Sequence, residues 1–298
     1  MQAWLRALQQ DLAPRYVRVI FANLSAILAA AVDDERIART PCRAASVKPP
    51  GLPPGKVVPW TPAQALAVRD ALPSRYRAMV ALGAGCGLRQ GEVSGLAVGD
   101  VDFLRGVVHV RRQVKLLSGR QVYAPPKGRK VRDVPLPESV ALDLAAHLQA
   151  WPAVPVELPW EDVSGAPRSA DLLLSTRERT ALQRNYINPK VWKPALILAG
   201  IEPTRENGMH ALRHFYARVL LDAGESVRAL AEYLGHADPG FTLRVYTHLM
   251  PASEEGPSEL SITSSVGVFR LRSRRHVHRM CTREAPDPHK CRSGAQRP

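Results

Sequence analysis

Between Pro49 and Pro59 the chain carries five prolines (49, 50, 53, 54 and 59) and two glycines (51 and 55). Proline fixes its own φ and has no N–H to give to a helix or ladder, so neither helix nor strand can run through such a stretch. The chain must therefore fold as a short piece before this segment and a long piece after it. In the first piece, Ile20, Leu24, Ile27, Leu28 and Ala31 recur at three- and four-residue steps, an amphipathic helical face, and Thr40-Pro41 should end the helical stretch. The long piece starts at a helix signal: Thr61-Pro62-Ala63-Gln64 supplies an N-cap, a proline at the first helical position and a capping-box partner.

Along the long piece, periodicity predicts helices over 62–72, 74–86 and 90–97. Gly83, Gly85 and Gly87 loosen the end of the second, and Arg89 opens the third. Alternation over Val107–Val110, continuing into Gln113-Val114, reads as a strand. Ser118-Gly119 turns it into Gln121-Val122-Tyr123, and Lys127–Lys130 turns that into Val131–Leu136. This predicts one small antiparallel sheet of about three strands inside a helical domain. A helix over 137–150 precedes a segment, 151–170, holding Pro152, Pro155, Pro159 and Pro167, which reads as a long surface loop. Helices near 185–199, 208–222, 226–234 and 239–248 follow. The expected organisation is 1–48 helical, 49–59 linker, 60–252 a mainly α domain with a small antiparallel β-sheet, and 253–298 a basic tail whose mixed composition reads as disordered.

Charge narrows the partners. The net charge is +14 and the pI about 10.2. Residues 268–298 hold nine Lys/Arg against Glu284 and Asp287, a net of 9 − 2 = +7, which leaves +7 on residues 1–267. A basic chain of this kind most often meets nucleic acid or an acidic membrane surface. The longest nearly apolar run, Val19 to Val32, is shorter than a bilayer requires and carries Asn23 and Ser25, so no membrane partner is expected. Four cysteines, Cys42, Cys86, Cys281 and Cys291, are too few and too scattered for a disulfide framework, and fit a reducing cytoplasm. His276-x-His278-x-x-Cys281 with His289-x-Cys291 matches no standard zinc spacing, and no metal or cofactor is expected.

Six residues suit chemistry on a phosphodiester. Arg89 and Arg213 offer planar, permanently charged forks for non-bridging phosphate oxygens. His210 shares a helix face with Arg213 and could accept the tyrosine proton as general base, since a free imidazole titrates near 6.5. His236, after Gly235, could donate a ring N–H to a phosphate oxygen. Lys127 stands at a hairpin tip from which it could protonate a leaving oxygen, with Lys130 as a competitor. Tyr246 is a candidate nucleophile that needs activation, since a free phenol ionises near 10. Each alone has an ordinary reading: a surface ion pair of Arg89 with Glu92, a turn lysine, a helix-capping histidine, a packing tyrosine.

Taken together they do not read as ordinary. Gly87-Leu88-Arg89-Gln90-Gly91-Glu92, then Lys127, then His210-Ala211-Leu212-Arg213, then Leu234-Gly235-His236, then Val245-Tyr246 resemble, in order and spacing, the tyrosine recombinases of the phage-integrase family. The resemblance covers about residues 60–251 and implies that family's catalytic domain, preceded here by a partial helical core-binding domain. It implies attack of Tyr246 on a DNA phosphate to give a 3′-phosphotyrosyl link and a free 5′-hydroxyl, without ATP or metal. The implied partner is double-stranded DNA, bound by a homotetramer on paired sites, for integration or excision of a mobile element. Two rival functions are a type IB topoisomerase, which reseals the same strand, and a truncated DNA-binding protein that no longer recombines.

Overall fold

The computed structural model describes residues 1–52, 58–236 and 238–246. It divides into two compact units, one from Met1 to Val58 and one beginning at Pro59. The tail read as disordered, and its histidine–cysteine cluster, lie outside the described residues.

The first unit contains two helices in contact, α1 (Gln2–Asp11) and α2 (Pro14–Asp33), broken at Leu12-Ala13 by the proline that starts α2. Leu5 and Val17 are its fully buried side chains. A short 3₁₀ turn at Pro41–Arg43 is capped by Thr40, whose hydroxyl accepts from the Cys42 amide. Arg18 Nη1 donates to the Pro50 carbonyl and Gln2 bonds both polar backbone groups of Lys48, which fixes residues 48–50 to this unit. At 20 residues α2 outruns the Val19–Val32 stretch seen in the sequence and reaches, by length and composition alone, the size of a bilayer span.

In the second unit, α3 (Pro62–Ala71) opens with the expected capping box: the Thr61 hydroxyl accepts from the Gln64 amide and the Gln64 side chain accepts from the Thr61 amide. α4 (Ala78–Cys86) is buried at every position, so it forms the centre of the core. α5 (Gln90–Gly95), α6 (Glu138–Ala150), α7 (Arg184–Ile187), α8 (Lys193–Leu198), α9 (His210–Asp222), α10 (Val227–Leu234) and α11 (Pro239–Tyr246) surround it. A π-helical turn at Asn188–Trp192 joins α7 to α8. Trp192 from this turn stacks on Trp60 with ring centroids 6.0 Å apart, and both indole N–H groups donate to Asn207, which anchors the start of the unit to the loop before α9.

The sheets differ from the single sheet expected. β1 (Val101–Asp102), β2 (Val107–Val110) and β5 (Arg132–Pro135) form one antiparallel sheet, with Val108 opposite Val134 and Val110 opposite Arg132. β3 (Gln113–Leu117) and β4 (Arg120–Ala124) form a separate hairpin. The break falls at Arg111-Arg112, where Arg112 turns aside to pair with the buried Asp100 at 2.6 Å. The segment 151–170 is also not a loop. β6 (Val154–Pro159) and β7 (Pro167–Leu172) pair over their full length, with Pro155, Pro159 and Pro167 inside the strands. A two-stranded ribbon has an open edge on each side, and a proline whose missing N–H would have faced such an edge removes no ladder bond. Alternate residues Val154 and Val156 pack under the β3–β4 hairpin with Val114 and Tyr123, making a small second core.

Candidate active site

The site is assembled where the ends of α4 and α10 meet α9. Gly87 ends α4 in a left-handed conformation, φ 62°, and a Cβ there would lie 2.4 Å from the Tyr216 ring, so only glycine fits. Gly235 ends α10 the same way, φ 61°, with the Arg132 side chain 3.0 Å from its missing Cβ. Two helix C-termini therefore present carbonyl oxygens to one space, a local negative field that suits a cation. Arg213 fills it: Nη1 donates to the Gly87 carbonyl at 2.7 Å, and Nη2 donates to the Leu234 carbonyl and, at 3.1 Å, to His236 Nε2. Burial lowers the Arg213 pKa, as does Arg89 nearby, to about 9, and the guanidinium stays charged at neutral pH. Three of its five N–H groups are engaged by protein.

Arg89 caps α5 in extended geometry, and its backbone N–H and Nη1 both donate to Glu92 at 2.9 Å. This is not the helix-surface pair considered above. Glu92 is fully buried and also accepts both terminal nitrogens of Arg132, at 3.0 and 2.7 Å. Burial works against the Glu92 charge, but the Arg132 bonds and the two arginine charges outweigh it and hold the pKa at about 2. Arg132 Nε donates to the Tyr233 carbonyl at 2.7 Å, so one guanidinium ties the Arg89 helix to the end of α10. Arg132 was missed in the sequence; its signal was strand phase, since it alternates inward with Val134 on β5.

His210, Arg213 and His214 stand at i, i+3 and i+4 on α9. The His210 and His214 rings meet edge-on with centroids 4.6 Å apart. The side chain that reaches Tyr246 is His214, not His210: His214 Nδ1 lies 2.7 Å from the Tyr246 hydroxyl. The sequence reading gave His214 no role; its i+4 position relative to His210 was the available sign. Tyr246 is only 3% exposed, and burial raises its pKa to about 12 although Arg213 and Arg89 pull it down. Desolvation, followed by the charges around them, lowers His210 and His214 to about 4 and His236 to about 3. All three rings are neutral at pH 7.

His236 sits beside Arg213, with its hydrogens fixed by its partners. An arginine can only donate, so Nε2 facing Arg213 is the acceptor and Nδ1 carries the proton, given to the buried Thr242 hydroxyl at 2.6 Å. The ring N–H thus points at Thr242. Lys127 lies exposed in a 3₁₀ turn with Gly128 at φ 77°, and its charge is felt at His210. Among the described residues it has no hydrogen bond or ion pair. Lys130, the competitor, donates Nζ to the His236 carbonyl at 3.1 Å.

The chain belongs to the phage integrase family, which it matches over residues 62–253. It is 28% identical over 271 residues to a XerC-like tyrosine recombinase of Caldanaerobacter subterraneus subsp. tengcongensis, covering 84% of this chain and 66% of that protein. It is 32% identical over 217 residues to tyrosine recombinase XerA of Thermococcus kodakarensis, covering 70% and 66%. Likeness to the ICEBs1 integrase of Bacillus subtilis is 26% over 252 residues, 83% and 65%. The chain spans just under two thirds of the length of these relatives. Among solved structures, the Tn1549 transposon integrase in complex with a circular intermediate DNA superposes with a TM-score of 0.68 at 19% identity, covering 84% of this chain and 79% of that one. The mainly α fold with small antiparallel sheets is that of the integrase catalytic domain.

Proposed function

We propose that this chain is a site-specific DNA recombinase that cuts and rejoins duplex DNA through a 3′-phosphotyrosyl intermediate, in the service of a mobile element. The observation that carries this reading is the burial of the Tyr246 hydroxyl against His214, in the electrostatic reach of Arg213 and Arg89. A packing tyrosine has no need of that company.

In this reading the scissile phosphate sits over Arg89 and Arg213. Arg89, with one N–H on Glu92, keeps the rest of its fork for non-bridging oxygens. Arg213 keeps two N–H groups without a partner among the described residues, and its fixed position means that no reorganisation is needed as charge develops. Tyr246 attacks phosphorus, and the P–O bond to the 5′ oxygen breaks. Lys127, which has no hydrogen bond or ion pair among the described residues and stands on an exposed turn, gives that oxygen its proton. His236 reinforces the phosphate contacts by exchanging its Arg213 bond for one to a phosphate oxygen, with the N–H moved to Nε2. His210 lies under the Lys127 charge and packs on His214. The phosphodiester's energy is kept in the tyrosyl link, so a 5′-hydroxyl from a partner strand reverses the step on a new end. The partner is duplex DNA, with four copies on two paired sites, so that each of the four strands to be exchanged meets one Tyr246.

The test uses a pool of nicked 40-base-pair duplexes of randomised sequence, in which cleavage near the nick releases a short fragment and traps the enzyme. The wild-type chain should give an SDS-resistant protein–DNA adduct, and members recovered from it should recombine when placed twice in one plasmid. Adduct formation with supercoil relaxation but no two-site exchange would assign strand cleavage without recombination.

A further inference from the structure

Attack by Tyr246 releases one proton, and His210, the acceptor expected from the sequence, has no bond to Tyr246 among the described residues. We infer that His214 Nδ1 takes the Tyr246 hydroxyl proton as the phenolic oxygen bonds to phosphorus, and returns it when the tyrosine leaves in the rejoining step. This deepens the strand-transfer reading above and rests on it.

The geometry supplies the argument. The Nδ1 to hydroxyl distance is 2.7 Å, a full hydrogen bond, in a site where the phenol is 3% exposed. Water has little access, so the acceptor must be a side chain. His210 meets the edge of the His214 ring, and the structure gives it no bond to Tyr246 among the described residues. The rings of His214 and Tyr246 lie 5.7 Å apart at 60°, which leaves the hydroxyl, rather than the ring face, against Nδ1. The titratable and charged groups facing His214 are His210 and Arg213 on its own helix and Tyr246 on α11. No carboxylate is among its partners in the described residues. Its ring is therefore neutral and available at working pH. Proton transfer is concerted with attack: the phenolic oxygen loses its basicity as the O–P bond forms, and a bound phosphate's negative charge favours a protonated ring. The balance closes, with O–P made to Tyr246, O–P broken to the 5′ oxygen, one proton moved to His214 and one supplied by Lys127. A histidine that holds the proton through the life of the phosphotyrosyl link also serves the reverse step by microscopic reversibility.

The experiment is the pH dependence of single-turnover adduct formation on the same nicked duplex pool, made with sulfur at the 5′ bridging position so that leaving-group protonation does not limit the rate. Wild type should be flat from pH 6 to 9. His214→Ala should be slower at pH 7 by about 100-fold, with a rate that rises tenfold per pH unit as unaided phenol ionisation takes over, and added imidazole should restore part of it. His214→Asn, which preserves side-chain polarity and helix packing without basicity, should behave like the alanine variant and covers the case in which that one fails to fold. A loss of folding or alignment alone would lower the rate equally at every pH. His214 is overturned as acceptor if both variants keep a flat profile, or if His210→Ala is the variant whose rate becomes log-linear in pH. No adduct from wild type, or a full adduct from Tyr246→Phe, would instead overturn the strand-transfer reading beneath it.

Discussion

Arg213 Nη1 donates to the carbonyl of Gly87 at 2.7 Å, across 126 positions of sequence. The bond joins the end of α4 to the first turn of α9 and explains why a glycine in a left-handed turn precedes Arg89. The residue that fixes the buried arginine is also the one that lets the chain turn toward the second arginine.

Gly87→Ala should therefore be costly. It places a Cβ at φ 62° and within 2.4 Å of Tyr216, so strain and overpacking both apply. A loss of about 2–4 kcal/mol is expected, read as a lower urea midpoint with unchanged slope. A midpoint equal to wild type would mean that the turn is not under this constraint.

Arg132→Met should destabilise by about 3 kcal/mol, because it leaves Glu92 buried with only Arg89 to balance it. Pairing it with Glu92→Gln should cost less than the sum of the two single changes. A double-mutant cycle measures this, and strict additivity would show that the ion pair is not a unit.

These two features differ in how far the sequence disclosed them. The helices around the six expected residues were legible because periodicity and caps are local. The Glu92–Arg132 pair was not, because it joins residues 40 positions apart and a charged strand residue reads as solvent-facing until the sheet is known. The β6–β7 hairpin was hidden for the opposite reason. Its prolines signal a loop locally, and only the pairing partner makes an edge strand possible. His214 stood in plain view one turn beyond the expected His210, and four residues along a helix bring a side chain back to nearly the same face, so position alone did not separate the two.

Stability should fall as the pH drops below neutrality. His210, His214 and His236 have folded pKa values lowered to about 4, 4 and 3. The unfolded chain therefore binds more protons below about 6.5, and stability present above that pH is lost as pH falls toward 3–4. Glu92, held at about 2, extends the loss from its unfolded value of 4.5 downward. Urea midpoints measured from pH 7.5 to 4.5 should decline, and His236→Asn should flatten the upper part of the curve. A midpoint independent of pH across 7 to 5 would contradict neutral, buried histidines.

Lys127→Ala should slow cleavage of an ordinary nicked duplex but be largely rescued by sulfur at the 5′ bridging position, since a thiolate leaves without a proton. Arg213→Ala should not be rescued. Rescue of Lys130→Ala instead would move the acid to that residue, against its bond to the His236 carbonyl.

The central claim is that Tyr246 becomes covalently joined to DNA. The direct measurement is protease digestion of the adduct formed on the nicked duplex pool, followed by mass spectrometry of the peptide that retains nucleotide. The nucleotide should be found on Tyr246 through its 3′-phosphate, and Tyr246→Phe should give no adduct while still retarding duplex DNA in a gel. Nucleotide on any other residue, or an SDS-resistant adduct from the phenylalanine variant, would contradict the account.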